Sequence, residues 1–207
     1  MTVYASLSLS LDGYYTGPTP SPLHPLGHGG EPLHDWFAHN GTSREHIQAS
    51  DILSEEMQRL GAMVMGRDSY EHAQAEWGEH PPFEVPVFVV THRAQADDVR
   101  EGTTFHFVTK GFSDALDRAR EAAGTRDIGM HGGGAIRQAL RNGALEELQL
   151  HLVPILLRSG RHLFESLSYG NINFKQDRVV AGQGVTHLRY RVRYGYFSGT
   201  PGRFVDE

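Results

Sequence analysis

The sequence predicts an α/β fold, a central mixed β-sheet flanked by helices and finished by a C-terminal antiparallel hairpin. Three observations predict it. Short apolar runs of strand length alternate with amphipathic stretches of helical period through the middle of the chain. A glycine run, Gly132-Gly133-Gly134, stands at one strand-to-helix junction. Two long alternating segments, 172–181 and 185–197, are joined by Ala181-Gly182-Gln183-Gly184, which reads as a hairpin on the edge of the sheet.

Residues 2–11 alternate polar and apolar side chains and end in the turn pair Asp12-Gly13, so they form the first strand. Residues 16–49 lose all period. Pro18, Pro20, Pro22, Pro25 and Pro32, several glycines, and His24, His28, His34, His39 and His46 make this a long loop with one short turn around 33–38. Ser50 or Asp51 caps a helix running through Leu60, with Ile52, Leu53, Met57 and Leu60 on its apolar face. A short buried strand follows at 62–65, and Gly66-Arg67-Asp68-Ser69 opens a second helix to about residue 75. Strands at 85–91 and 105–109 come next. Residues 111–123 form a helix that turns Phe112, Ala115, Leu116, Ala119 and Ala122 inward, and 126–131 is a strand. The glycine run then leads into a helix to about Arg141, stopped by Asn142-Gly143, and 146–157 is the next strand. At 207 residues the chain is expected to form one domain over 1–197, with 198–207 as a C-terminal tail.

Composition narrows the function. With 19 basic against 25 acidic residues the net charge is −6, so no basic field draws the chain to nucleic acid or to an anionic membrane. The absence of cysteine excludes disulfides, a thiolate nucleophile and Cys-ligated metal. The N-terminus has no basic segment followed by a continuous apolar run. The longest apolar stretches are about six residues, against roughly 20 for a membrane span. These features predict a soluble, cytoplasmic protein.

The segment 128–140, IGMHGGGAIRQAL, has the parts that hold a pyrophosphate: glycines that let the backbone approach, and a helix N-terminus with unpaired N–H groups. It has neither the G-x-G-x-x-G of a Rossmann unit nor the Lys-Ser/Thr of a Walker loop, and a tight packing turn uses glycines equally well. Gly66-Arg67-Asp68-Ser69 offers a second such junction, with a guanidinium and a hydroxyl beside the amides.

SLSLDG at 8–13, AMVMGRDSYE at 62–71, VFVVTHR at 87–93, IGMHGGGAIRQAL at 128–140 and LEELQLHLVPILLRSGRHLFE at 145–165 follow one another in an order that resembles the dihydrofolate-reductase-like family. Within it, the chain is similar to the reductase domain of the bifunctional deaminase–reductase of riboflavin biosynthesis and its stand-alone relatives. HLRYRV at 187–192 resembles the family's closing strand. The resemblance implies a sheet that binds NADPH. It places Gly66, Arg67 and Ser69, then Gly132, Gly133, Gly134, Ala135 and Ile136, around the pyrophosphate. Thr91, His92 and Arg93 fall at the adenosine side, where a cation pairs with a 2′-phosphate, and the backbone near Ser8 falls beside the nicotinamide. Ser69 stands where the family more often has Thr. Pro154-Ile155-Leu156-Leu157-Arg158-Ser159-Gly160 replaces a Gly-rich turn common in relatives. Without cysteine, the zinc-dependent deaminase half has no counterpart here.

Hydride transfer calls for a carboxyl near the nicotinamide, to polarise the acceptor and supply a proton. Asp12, at the mouth of the first strand, and Asp51, at the start of the following helix, are the candidates. Each also has a structural role open to it, as an Asx-turn and a helix cap respectively. The loop 16–49 is expected to close over the cleft, with Trp36 and Phe37 as apolar cover, or to form a small satellite core. His24, His28, His34 and Asp35 have metal-ligand chemistry, but the surrounding prolines oppose a helical arrangement, so no metal is expected. Arg189, Arg191 and Arg193 alternate with Leu188, Tyr190, Val192 and Tyr194, which puts the arginines together on a solvated or subunit-facing side of a strand. The expected function is reduction of a C=N or C=O bond in a small heterocyclic or carbonyl substrate by a homodimer. A dihydrofolate reductase proper and a non-catalytic dinucleotide-binding module are the alternatives.

Overall fold

The first strand, β1 (Val3–Ser10), lies inside a nine-stranded sheet between β7 (Asp127–His131) and β8 (Glu147–Val153), parallel to both. The structure, a computed structural model, describes residues 1–38, 49–167 and 171–195. Beyond β7 the parallel array continues through β3 (Leu60–Gly66), β4 (Val87–Val90) and β6 (Thr103–Val108), and ends on antiparallel β5 (Asp98–Arg100). Beyond β8 lie antiparallel β11 (Val185–Gly195) and β10 (Asn171–Gly182), the hairpin expected from its alternation. A separate pair, β2 (Tyr14–Thr16) and β9 (Arg161–His162), ties the exit of β1 to the segment after β8. The mixed α/β architecture is the one predicted.

Period-two alternation divides the central strands between two layers. Ala5, Leu9, Ala62, Val64, Ile128 and Met130 pack on one face against α3 (Phe112–Ala123) and α4 (Gly133–Arg141). Tyr4, Leu60, Met63, Met65, Val87 and Val89 face the other way, toward Tyr70 of α2 (Arg67–Trp77). On that second face α1 (Ala49–Arg59) crosses β1, and the Tyr4 hydroxyl donates to the Glu56 carbonyl at 3.0 Å. Each helix is thus placed by the apolar stripe its sequence supplies.

Some boundaries differ from expectation for local reasons. The strand expected at 146–157 ends at Val153, because Pro154 has no N–H to continue the ladder. Strands β2, β5 and β9 have two or three residues each, too few for a readable period. On α1, Met57 is 38% exposed and Glu56 is buried in its place. In the long loop, Gly17 N–H donates to Leu26 O and His28 N–H to Pro18 O, and the turn around 33–38 is a 3-10 helix, Glu31–Ala38. His39, His46 and the tail 198–207 lie outside the described residues. Among the described residues no helix is long and apolar enough to cross a membrane.

Candidate active site

The sheet's carboxyl edge opens into a cleft of about 340 Å³ where β3, β4 and β7 end and where α2 and α4 begin. Parallel strands feeding two helices leave both N-termini pointing at one space, which concentrates amide N–H groups and positive dipole ends there. Gly66, Arg67, Ser69, Thr91, His92, Arg93 and Gly134 line this cleft, so most of the predicted cofactor residues converge although they come from three separate segments. Tyr15, Arg137, Gln138 and Arg161 line it as well. Arg137 and Gln138 follow Gly134 by three and four residues and so share its side of α4, a signal present in the sequence. Arg161 arrives only through the β2–β9 pairing, which leaves no local trace.

The three glycines of the run do different work. Gly132 has φ +79°, and a Cβ there would meet Ser69 Oγ, so its bare backbone lets the starts of α2 and α4 touch. Gly133 is buried, and its Cβ position is filled by the Tyr15 ring. At Gly134 and Gly66 a Cβ would meet none of the described residues. Two of the expected residues bring no side chain to the cleft. Ala135 and Ile136 turn their side chains into the core against α3, and the Ile136 N–H is already given to the Gly132 carbonyl at 3.2 Å. Neither side chain lines the cleft.

Cations dominate the walls. Arg67 donates through Nε to Glu71 Oε1 at 2.8 Å, and Arg93 donates through Nη2 to the same oxygen. Arg67 Nη1 is buried and has no hydrogen-bond partner among the described residues. An orphaned guanidinium donor of this kind is costly unless an acceptor arrives. Arg161 pairs with Asp68 at 3.1 Å across the mouth. At the end of β7, His131 is flanked edge-on by Trp77 and Phe83, and burial pushes its imidazole down to about 4, so it is neutral near pH 7.

Asp12 and Asp51 are not the buried carboxylates of this molecule. Asp12 accepts backbone N–H bonds from Leu157 at 3.1 Å and Arg158 at 2.7 Å and a bond from the Ser10 hydroxyl at 2.6 Å. Its charge is committed to bracing the turn after β8, and the Ser10 hydroxyl in particular holds its carboxyl below the usual range. Asp51 is exposed in the first turn of α1, where its charge suits the helix dipole. A buried carboxylate that meets the side chains of β1 is Glu56, 7% exposed, which accepts from Ser6 Oγ at 2.7 Å and from the Gln149 amide at 2.5 Å. A carboxylate within the apolar stripe of α1, one turn after Ile52, was the available signal.

Ser6, Gln149, His151 and His187 come from adjacent strands in register and form a polar strip on the α1 face. Ser6 Oγ is 2.8 Å from His151 Nε2, and His151 Nδ1 is 2.8 Å from His187 Nδ1, so one ring donates and the other accepts. Trp36 lies on this strip, 2% exposed, with its ring 4.5 Å from that of His151 and its Nε1 donating to Ser8 Oγ at 2.9 Å. The expected apolar cover is therefore a fixed anchor at Trp36, whereas Phe37 is 38% exposed. The Arg189 side of β11 faces the same layer: Arg189 and Arg178 both pair with Glu55 of α1 at 2.7 Å, a bound arrangement and not a freely solvated one.

Fold and cleft together define an α/β protein of the dihydrofolate-reductase-like type, with a cationic cleft at the carboxyl edge of its parallel strands. Residues 1–188 match the RibD C-terminal domain family, and the chain belongs to that family. Among solved structures it is similar to a protein from Shewanella sp. PV-4 named for riboflavin biosynthesis, at 22% identity and a TM-score of 0.70, covering 93% of this chain and 99% of that one. It is also similar to a pyrimidine reductase-like protein from Corynebacterium diphtheriae, at 15% identity and a TM-score of 0.58, covering 93% of this chain and 92% of that one. RibD from Acinetobacter baumannii matches at 14% identity and a TM-score of 0.56 over 93% of this chain and 58% of its own length. Among curated proteins none matches in sequence.

Proposed function

We propose that this protein is an NADPH-dependent reductase of the riboflavin-pathway type, acting on a C=N or C=O bond of a small heterocyclic or carbonyl substrate. The observation that carries the reading is the cleft between the α2 and α4 N-termini, where Arg67 keeps a buried guanidinium nitrogen without an acceptor among the described residues. A dinucleotide fits the residues present. Gly66 and Gly134 leave room for backbone amides to approach a pyrophosphate, and Arg67, Arg93, Arg137 and Arg161 supply charge. When bound, the cofactor supplies the hydride.

The protein's part is orientation and proton management. Ser6, Ser8 and Trp36 fix the β1 surface, and Glu56 offers a buried carboxylate to a substrate N–H or to a developing charge beside β1. Glu56 takes the role for which Asp12 and Asp51 were candidates. A buried carboxylate on this strip favours the catalytic reading over a non-catalytic dinucleotide module, whose pocket needs none. The exposed edge strand β10, with Phe174 and Val179 at its surface, suits the expected homodimer.

The test is calorimetric titration with NADPH, followed by NADPH oxidation assays over dihydropterins, ribosylaminouracils and simple carbonyls. Micromolar binding with turnover of one class is expected. Failure to bind NADPH or NADH overturns the reading.

A further inference from the structure

Two arginines of the cleft share a single carboxylate oxygen. Arg67 opens α2, and Arg93 follows β4, 22 residues away from Glu71 in sequence, yet Nε of the first and Nη2 of the second both donate to Glu71 Oε1. Each partner is held in place. The Arg67 guanidinium lies 5.1 Å from the Phe107 ring centroid and 5.6 Å from that of Tyr70. The backbone of Arg93 is fixed by its N–H bond to Thr91 Oγ1 at 3.1 Å. The Arg67 hydrogen bond, the largest cause, and the Arg93 charge hold the Glu71 carboxyl below its usual range, so the group is ionised near neutral pH.

This cluster therefore carries two positive charges already partly answered by one negative charge. A phosphate monoester entering here must compete with Glu71 for Arg67 Nε and Arg93 Nη2 and approach a like charge. A hydroxyl entering the same place does neither, and can donate to the carboxylate. Ribose recognition turns on this difference: acidic side chains accept from a 2′-hydroxyl, and guanidinium groups pair with a 2′-phosphate.

We propose that Glu71 is a specificity-determining residue that restrains 2′-phosphate binding at the Arg67–Arg93 pair and keeps the cleft open to the unphosphorylated cofactor. This rests on the dinucleotide reading of the cleft. Arg93 gives NADPH its advantage, and Glu71, which it shares with Arg67, limits it. Neutralising Glu71 widens the gap between the two cofactors, and removing Arg93 narrows it.

The experiment measures the affinities of NADPH, NADH, 2′,5′-ADP and 5′-AMP for the wild-type chain, Glu71→Gln and Arg93→Met by calorimetry, at two salt concentrations. In Glu71→Gln the NADPH/NADH affinity ratio is expected to rise about fivefold, with the same change in the 2′,5′-ADP/5′-AMP ratio, an effect of the size of two partly exposed ion pairs. The gain is expected to shrink at high salt. Arg93 is 68% exposed at its side chain, so Arg93→Met should fold even if Glu71→Gln does not, and its ratio should fall below that of the wild type. If both cofactors bind and neither variant moves the ratio, the role of Glu71 is overturned while the dinucleotide reading stands. If the wild-type chain binds neither cofactor, both are overturned.

Discussion

Glu56 and Ser6 meet across the layer between α1 and the sheet, at 2.7 Å, with Ser6 Oγ also 2.8 Å from His151 Nε2. One hydroxyl thus links a buried carboxylate to an imidazole pair on neighbouring strands. Replacing Glu56 by Gln keeps the shape and removes the charge. We expect turnover to fall by about 100-fold, the usual scale of a lost acid–base group, with NADPH affinity within twofold of wild type. Steady-state kinetics beside calorimetry checks it; equal turnover would remove Glu56 from the chemistry.

Asp12→Asn separates bracing from catalysis. The variant keeps size but weakens the charge-assisted bonds to the Leu157 and Arg158 amides. Its Tm should fall while NADPH affinity holds. Because the folded carboxyl sits below its ordinary range, the stabilisation is present above that range and lost as pH falls through it. The Tm difference between wild type and variant should therefore close in acid.

The glycine run offers a paired test. Gly134→Val places its Cβ against none of the described residues and should fold with a Tm near wild type, yet lose NADPH binding by at least tenfold because the side chain fills the cleft. Gly133→Val collides with the Tyr15 ring and should destabilise by about 1–3 kcal/mol, the scale of overpacking. Thermal melts with calorimetry distinguish the two.

His187 and His131 titrate in the same direction. Burial, aided by His151 beside His187, pushes both imidazoles down to about 4. An unfolded chain takes up protons at these positions below about 6.5, whereas the folded chain resists until about 4. Stability should therefore fall as pH drops from 6.5 to 4, and His187→Gln should flatten that slope. A Tm independent of pH across this window contradicts the assignment.

Trp36 gives a fifth prediction. Trp36→Phe keeps an aromatic ring on His151 but strands Ser8 Oγ, and should cost about 1 kcal/mol. Trp36→Ala should cost about 3–5 kcal/mol, because it empties a site that is 2% exposed. Denaturant melts measure both.

The parts that could be read from sequence are those written in local periods. β1, β3, β7 and α3 announce themselves by spacing, and Gly66 and Gly134 by their junctions, so the cleft's two helical walls were legible. The carboxylate was marked only by its place in the apolar stripe of α1, one turn after Ile52; Asp12 and Asp51 have the local context of a site residue, while Glu56 gains its partners only when α1 crosses β1. Likewise Arg161 reaches the cleft through a two-residue strand whose partner lies far back in the chain. Arg161, positioned by that pairing alone, carries no mark beside it in the sequence.

The neighbours of β1 set an order of events for the newborn chain. Thr2 bonds to Asp127 across 125 residues, and Val3 to Glu146 across 143. As the polypeptide leaves the ribosome, β1 has no partner until β7 and β8 have emerged, and both its edges stay unpaired meanwhile. Such remote pairing slows folding and exposes strand edges to other chains. The alternating serines at 6, 8 and 10 keep that waiting strand half polar. Ser6 and Ser8, which later line the strip beneath Trp36, and Ser10, which later bonds Asp12, thus also make the early chain less adhesive.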